Sequence, residues 1–379
     1  MDFELSDTQR AVRDVAQSFA RDVLAPRARE VDRHERFPAD AYQQMGELGL
    51  LGVNVPTELG GAGAGVVAYA AAMMEISAAC ASTSVGMAVT NMCAELITAA
   101  GTEEQRRRWV PELASGRAVA GAFALSEPHA GSDAASLRTT ARREGDGWVL
   151  DGTKQWITSG SHAGVIIVAA RTSQDGSKGL TCFVVEKGAK GLTVGRREEK
   201  MGLRGSSTVP LVFEGCVVPD AQRLGAVGDG FRLVMMALDG GRIGVGAQAC
   251  GVARAALEAS ARYAKERRAF GVPIGEHQAV RFMLADMRTQ HQAAELLVLR
   301  AAALKEAKRP FTREASMAKL FASEMAEKVC SDAIQIHGGY GYVADFIVEK
   351  IWRDVRVAQI YEGTSDIQRL IIGRGLAAI

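Results

Sequence analysis

Aromatic residues are sparse, 6% of 379, and there are only six cysteines. These stand singly (Cys80, Cys93, Cys182, Cys216, Cys250, Cys330), with no C-x-x-C pair. That excludes a disulfide framework or a zinc site as the organising device and fits reduced thiols. An excess of one charge sign is also missing: the formal net charge is +1, so bulk electrostatics favours neither nucleic acid nor a membrane surface. Apolar runs such as AGVIIVAA at 163–170 are far too short to span a bilayer. The N-terminus, MDFELSDTQR, is acidic and polar where a signal peptide is basic and then apolar. What remains is a globular balance, 47% hydrophobic and 23% charged. The expectation is a cytoplasmic protein with no membrane span and no nucleic-acid partner.

At this length two or three domains or subdomains are expected. SDTQ at 6–9 reads as a capping box, and Val12, Val15, Phe19 and Val23 continue at helical spacing until Pro26. Residues 64–100 form an Ala- and Met-rich stretch predicted to be buried helices. From about Gly121 short β-rich runs appear (148–158, 164–170, 180–186, 209–218), punctuated by Gly, Asp, Ser and Lys. Helical texture returns at 230–268, 276–308 and 312–337, with a last helix from about Ser365. The pattern predicts an α+β chain in three parts, divided as 1–120, 121–228 and 229–379.

Two glycine-rich stretches need separating. GGAGAG (60–65) resembles a dinucleotide loop, but no strand precedes it and no βαβ unit surrounds it, so it is not read as one. LDGGRIGVGAQACG (238–251) is a helix carrying five glycines, each costing about 1 kcal/mol relative to Ala. Something bulky must approach its backbone, either a neighbouring helix or a ligand.

Three further stretches offer chemistry, each with a plainer alternative. ALSEPHAGSDAAS (124–136) supplies hydroxyls and backbone N–H groups suited to a polar planar ligand or a phosphate, or is a turn capped by Ser126 and Asp133. QIHGGYGY (335–342) closes a helix with paired glycines whose amides can face a pyrophosphate, or which simply form a C-cap. RRAFG (267–271) offers a guanidinium and a ring, or a surface Arg and a core Phe.

Taken together with QWIT (155–158) and IYEGTSDIQR (360–369), and in this order, these motifs resemble the acyl-CoA dehydrogenase family over essentially the whole chain. The short-chain (butyryl-CoA) branch is the most similar. The resemblance implies an N-terminal helical domain, a middle β-barrel domain and a C-terminal four-helix bundle, assembled as a homotetramer, a dimer of dimers. It implies FAD as prosthetic group, an acyl-CoA substrate and an electron-transferring flavoprotein as oxidant. In its terms Phe123, Ala124, Leu125, Ser126, Gly131 and Ser132 line the flavin, Ser132 also touching CoA. Trp156, Ile157 and Thr158 stand against the isoalloxazine. Arg267, Phe270 and Gln278 reach the FAD of a neighbouring subunit, as do Gln335, Ile336, His337, Gly338 and Gly339. Thr364, Ser365 and Asp366 meet the FAD of their own subunit. Asp239, Gly240, Gly241 and Arg242 contact CoA, and Gly363 the thioester.

Glu362 corresponds to the catalytic base of the resemblance. It lies among Ile360, Tyr361, Ile367, Leu370, Ile371 and Ile372. An ordinary Glu, near pKa 4.3, is a poor match for the weakly acidic Cα–H of a thioester, and removing water raises its basicity. Relatives that handle isovaleryl or long-chain thioesters carry the base immediately before the arginine of the glycine-dense helix. Here that position is Gly241, which leaves one candidate base and room for branched or cyclic acyl groups. An oxygen-using oxidase on the same fold is the alternative.

Overall fold

The computed structural model describes residues 4–377. Its chain enters through the expected capping box: Ser6 Oγ accepts from the Gln9 N–H, and the Gln9 side chain accepts from the Ser6 N–H. Helix α1 (Asp7–Phe19) loosens into a π turn at Ala20–Leu24 and a 3₁₀ turn around Pro26, where the proline lacks the N–H a longer helix needs. Short helices α2 (Ala28–Arg33) and α3 (Ala39–Glu47) follow. The Ala- and Met-rich stretch forms two helices, α4 (Gly65–Ala79) and α5 (Ala81–Ala100), broken at Cys80, whose backbone is extended. Helix α6 (Glu103–Ala114) begins with a second capping box, Thr102 with Gln105. GGAGAG lies in turns leading into α4, with no strand before it among the described residues.

The middle of the chain is one eight-stranded sheet: β1 (Gly121–Ala124), β2 (Thr140–Glu144), β3 (Gly147–Thr158), β4 (Val165–Arg171), β5 (Leu180–Glu186), β6 (Leu192–Val194), β7 (Thr208–Pro219) and β8 (Arg223–Leu224). The order is β6-β7-β3-β2-β4-β5-β8, with β1 added parallel to β4. All four predicted β runs are strands of this sheet. The long β3–β7 pairing slips register between Lys154 and Ile157, and that irregularity frees the Trp156 side chain, 60% exposed, from the ladder.

The last part is helical: α7 (Gly230–Glu266), a two-stranded ribbon of β9 (Arg268–Ala269) and β10 (Val272–Pro273), α8 (Gln278–Glu306), α9 (Thr312–His337), α10 (Ile347–Val355) and α11 (Ser365–Ala377). Its core is shared with the first part. Tyr42, Met73 and Ile76 belong to the same buried cluster as Ile243, Val298 and Val329. The sheet has an inner core of its own (Leu150, Phe183, Phe213). A further cluster lies between sheet and helices (Ile97, Val110, Ile167, Leu233). The glycine-dense helix is thus a central element, and both readings of it hold at different positions. A Cβ on Gly251 would lie 2.2 Å from the Met74 carbonyl oxygen, and one on Gly244 would lie 2.6 Å from Tyr69 Oη. Those two glycines let α4 approach. Gly240 and Gly241 instead face charged side chains, described below. Among the described residues no helix is long and apolar enough to cross a membrane.

Candidate active site

Between a 3₁₀ turn at Arg356–Gln359 and α11, the chain turns through two successive left-handed residues, Glu362 (φ 54°) and Gly363 (φ 86°). Glycine adopts this conformation freely, whereas for Glu it costs of the order of 1–3 kcal/mol, so the surroundings must hold it. They do so through carbonyls. Lys319 Nζ donates to the Gly363 carbonyl at 2.7 Å, and Gln368 Nε2 donates to the same carbonyl at 2.9 Å and to that of Glu362 at 3.2 Å. Lys319 and Gln368 are both fully buried. On one side of Glu362, the Tyr361 hydroxyl bonds Gln248 Oε1. On the other, Thr364 caps α11 by accepting from the Ile367 N–H at 3.3 Å.

The carboxylate projects at α7. A Cβ on Gly241 would lie 2.6 Å from Glu362 Oε2 and 3.6 Å from Met92 Sδ, so the missing side chain makes room for the base. Oε2 is buried and has no hydrogen-bond partner. Burial pushes the Glu362 carboxyl up to about 7, and Arg242 and then Lys319 restrain the rise. Arg242 is itself buried and ion-paired to Asp239, whose other oxygen accepts from Thr312 Oγ1 at 2.6 Å. Asp239 therefore orients Arg242. One residue earlier on α7 than Gly241, a Cβ on Gly240 would meet Lys305 Nζ at 2.6 Å; that ammonium is paired with Glu95.

A second group forms where the 124–136 loop meets β3. The Gln155 N–H donates to the Ser126 carbonyl at 2.8 Å. Beneath it lies a buried ion pair: Lys154 Nζ reaches Glu127 Oε1 at 2.7 Å and the Leu125 carbonyl at 3.0 Å. Glu127 also accepts from the Arg138 and Thr139 N–H groups at 2.6 and 2.9 Å, closing the loop on itself. Burial outweighs the pull of Glu127 and brings Lys154 down to about 8, while its ammonium keeps Glu127 below the usual carboxylate range despite burial. Trp156 (φ 64°), two residues after Lys154, is exposed, Thr158 is half-buried, and Gly131 and Ser132 are exposed. Ala124, Leu125 and Ile157 turn their side chains into cores, and Phe123 packs against one, so these four can offer a ligand little beyond backbone.

A third group joins the other two glycine-bearing motifs around a cavity of 570 Å³, lined by Arg267, Ile336, His337, Gly338, Gly339 and Tyr340 among others. Arg267 caps the end of α7, 5.5 Å from the centre of the Tyr340 ring. His337 stacks on Tyr263 and donates from Nδ1 to the Ala333 carbonyl, and burial lowers its proton affinity. Gly338 (φ 58°) is the C-cap of α9. Phe270 (φ 51°) is 94% exposed, which rules out the core-Phe alternative, and Gln278 is exposed at the start of α8. No hydrogen bond or ion pair joins the three groups among the described residues. Ser365 Oγ, Gln368 Oε1 and Arg242 Nε are, like Glu362 Oε2, buried polar atoms without a hydrogen-bond partner, whereas Asp366 is exposed. Unpartnered polar atoms, an exposed left-handed Trp and a cavity carrying an arginine and glycine amides fit a large, flat, phosphate-bearing group.

Sequence reading missed Lys319, Gln368 and the Glu127–Lys154 pair. Lys319 had a signal: it interrupts a stripe of Ala315, Ala318, Ala322 and Ala326, all buried, on one face of α9. Gln368 had none.

Family models match nearly the whole chain in three segments: acyl-CoA dehydrogenase N-terminal domain over 6–117, middle domain over 122–216 and C-terminal domain over 228–377. The short-chain specific acyl-CoA dehydrogenase, mitochondrial, of Bos taurus is 48% identical over 97% of this chain and 90% of its own length. The butyryl-CoA dehydrogenase of Megasphaera elsdenii has a solved structure that superposes with a TM-score of 0.98 at 39% identity, covering 100% of both chains. A structure described as the electron transferring flavoprotein of Acidaminococcus fermentans also superposes at 0.98, with 42% identity and 99% of both chains covered. The chain belongs to the acyl-CoA dehydrogenase family of enzymes.

Proposed function

We propose that the protein dehydrogenates short-chain acyl-CoA thioesters to trans-2-enoyl-CoA, with Glu362 removing the Cα proton. The observation that carries the reading is the unpartnered, buried Oε2 of Glu362 aimed at the space that Gly241 leaves open. FAD, when bound, supplies the hydride acceptor for Cβ. Every other role belongs to the chain. Desolvation raises the basicity of Glu362 and narrows its mismatch with the weakly acidic Cα–H, while Arg242 and Lys319 restrain the rise so that it titrates near neutral pH. The peptide N–H of Glu362 is assigned to the thioester oxygen, where it stabilises the developing enolate as an oxyanion-hole donor does. Gly363 is assigned to the thioester, and Asp239, Gly240, Gly241, Arg242 and Ser132 to the CoA side. Trp156, Thr158, Ser126 and the neighbouring backbone hold the flavin; Arg267, Phe270, Gln278 and residues 335–339 hold the far end of a neighbouring subunit's FAD in a homotetramer, with residues 364–366 serving their own subunit.

The short-chain preference rests on the bovine and Megasphaera relatives, and an electron-transferring flavoprotein as oxidant on the Acidaminococcus structure. The test is an assay of thioesters from C4 to C16, straight and branched, run anaerobically with an artificial acceptor and separately with oxygen alone. Turnover of C4 to C8 substrates with the acceptor and little with oxygen is the expected result. Highest efficiency with palmitoyl-CoA overturns the chain-length assignment, and equal turnover with oxygen makes the protein an oxidase.

A further inference from the structure

Lys319 is a lysine in a place that would accommodate a methionine. It is fully buried on α9, within the alanine stripe that packs against the centre of the molecule. Burying an ammonium is costly unless the charge is used. Its one hydrogen bond goes to the Gly363 carbonyl, 2.7 Å away, immediately after the base. The same carbonyl and that of Glu362 also take the Gln368 amide. Two donors from two helices thus converge on the backbone that carries the left-handed Glu362.

We infer that Lys319 is a positioning residue for Glu362: its ammonium pins the left-handed turn from which the carboxylate projects, and sets a cation in the wall of the carboxylate's pocket. The inference rests on the reading of Glu362 as the base. The charged and titratable groups around Lys319 are few. Glu362 faces it from the turn before α11. Arg242, neutralised by Asp239, faces it from α7. Glu324, paired with Arg369, lies on its own helix. Tyr361 adjoins Glu362 and, being buried, stays protonated. Removing the ammonium therefore leaves Arg242 as the sole cation restraining Glu362, and the carboxyl must hold its proton to higher pH. Burial brings Lys319 itself down to about 8, so it is charged at neutral pH, where it is needed.

The test uses substrate-free holoenzyme as well as turnover. Infrared difference titration follows the carboxylic-acid band that Glu362→Gln abolishes, and anaerobic flavin reduction gives the rate. In Lys319→Met the titration midpoint should move alkaline by about one pH unit or more, and Lys319→Arg should leave it within a few tenths. Reduction by Lys319→Met should slow most below pH 7, with kcat falling more than KM rises. An unchanged midpoint together with an unchanged rate overturns the inference. Should neither lysine variant fold, Gln368→Leu removes the second donor and leaves the charge: reduction should slow at least about tenfold with the midpoint unmoved, and wild-type reduction overturns the clamp. Failure of the base assignment looks different, since Glu362→Gln would then reduce its flavin normally whatever Lys319 does.

Discussion

At Glu362 three features coincide that would each weaken an ordinary fold. The backbone is left-handed, an oxygen is buried without a partner, and the neighbouring helix has a glycine where any side chain would collide with it. The cost is measurable. A carboxyl raised to about 7 in the fold and near 4.5 unfolded favours the unfolded, ionised chain as pH rises between those values. Stability tied to Glu362 is thus fully present below about pH 4.5 and lost as pH rises toward 7, on the order of 3 kcal/mol. Glu362→Gln should therefore melt higher than the wild type at pH 8, and the two should converge near pH 5. A Gln variant less stable at pH 8 would mean that the carboxylate is a satisfied structural ion. Geometry adds a second expectation. Gly241→Glu alone should clash with Oε2, whereas Gly241→Glu with Glu362→Gly removes the clashing atom and should recover part of the anaerobic reduction lost in Glu362→Gly. No recovery would place the two positions on different sides of the reacting carbon. The sequence displayed Glu362 through its apolar neighbours and Gly241 through its place before Arg242. It could not display Gln368, because a polar residue one turn into a helix looks the same whether it faces solvent or a carbonyl.

Among the elements, β3 and α7 show what periodicity reveals and what it hides. WVLDGTKQWIT was legible as a strand from its β-branched and aromatic content, but nothing in it announces that Lys154 turns inward to Glu127 in the preceding loop. Charged residues in a strand are read as solvent-facing, and only the pairing partner, 27 positions away, decides otherwise. Removing one member of such a buried pair strands the other. Lys154→Met should cost roughly 3–5 kcal/mol in urea unfolding, and more than Glu127→Gln with Lys154→Met combined. A single variant within 1 kcal/mol of wild type would show that water reaches the pair. On α7, five glycines could be counted in the sequence, yet their division between helix packing at Gly244 and Gly251 and the site at Gly240 and Gly241 needed the positions of Tyr69, Met74, Lys305 and Glu362.

Over the whole molecule, the order of helices, strands and helices was readable because the hydrophobic period changes at each junction. That the first and last parts share one core was not, since Met73 and Val298 are brought together only by long-range packing. The same holds for the cavity that unites Arg267 with His337–Gly339, seventy residues on in the chain. Its exposed neighbours, Phe270 and Tyr342, 94% and 86% accessible, suit a surface completed by another subunit and its FAD. Arg267→Ala should weaken FAD retention by about 1.5–3 kcal/mol, read as flavin lost on dialysis, and the wild type should scatter light as a tetramer if another subunit completes this site. A wild-type monomer that keeps its flavin would contradict this arrangement.

The most direct test of the account is the pH dependence of anaerobic flavin reduction at limiting substrate, which reports the free enzyme's base, in the wild type and in Glu362→Gln. The wild-type rate should rise with pH through a midpoint near 7, where the buried carboxyl gives up its proton. The Gln variant, folded and flavin-loaded, should be slower by roughly 10²–10⁴ and lack that limb. A Glu362→Gln protein that reduces its flavin within a few-fold of the wild type, with the same midpoint, would show that another group takes the proton.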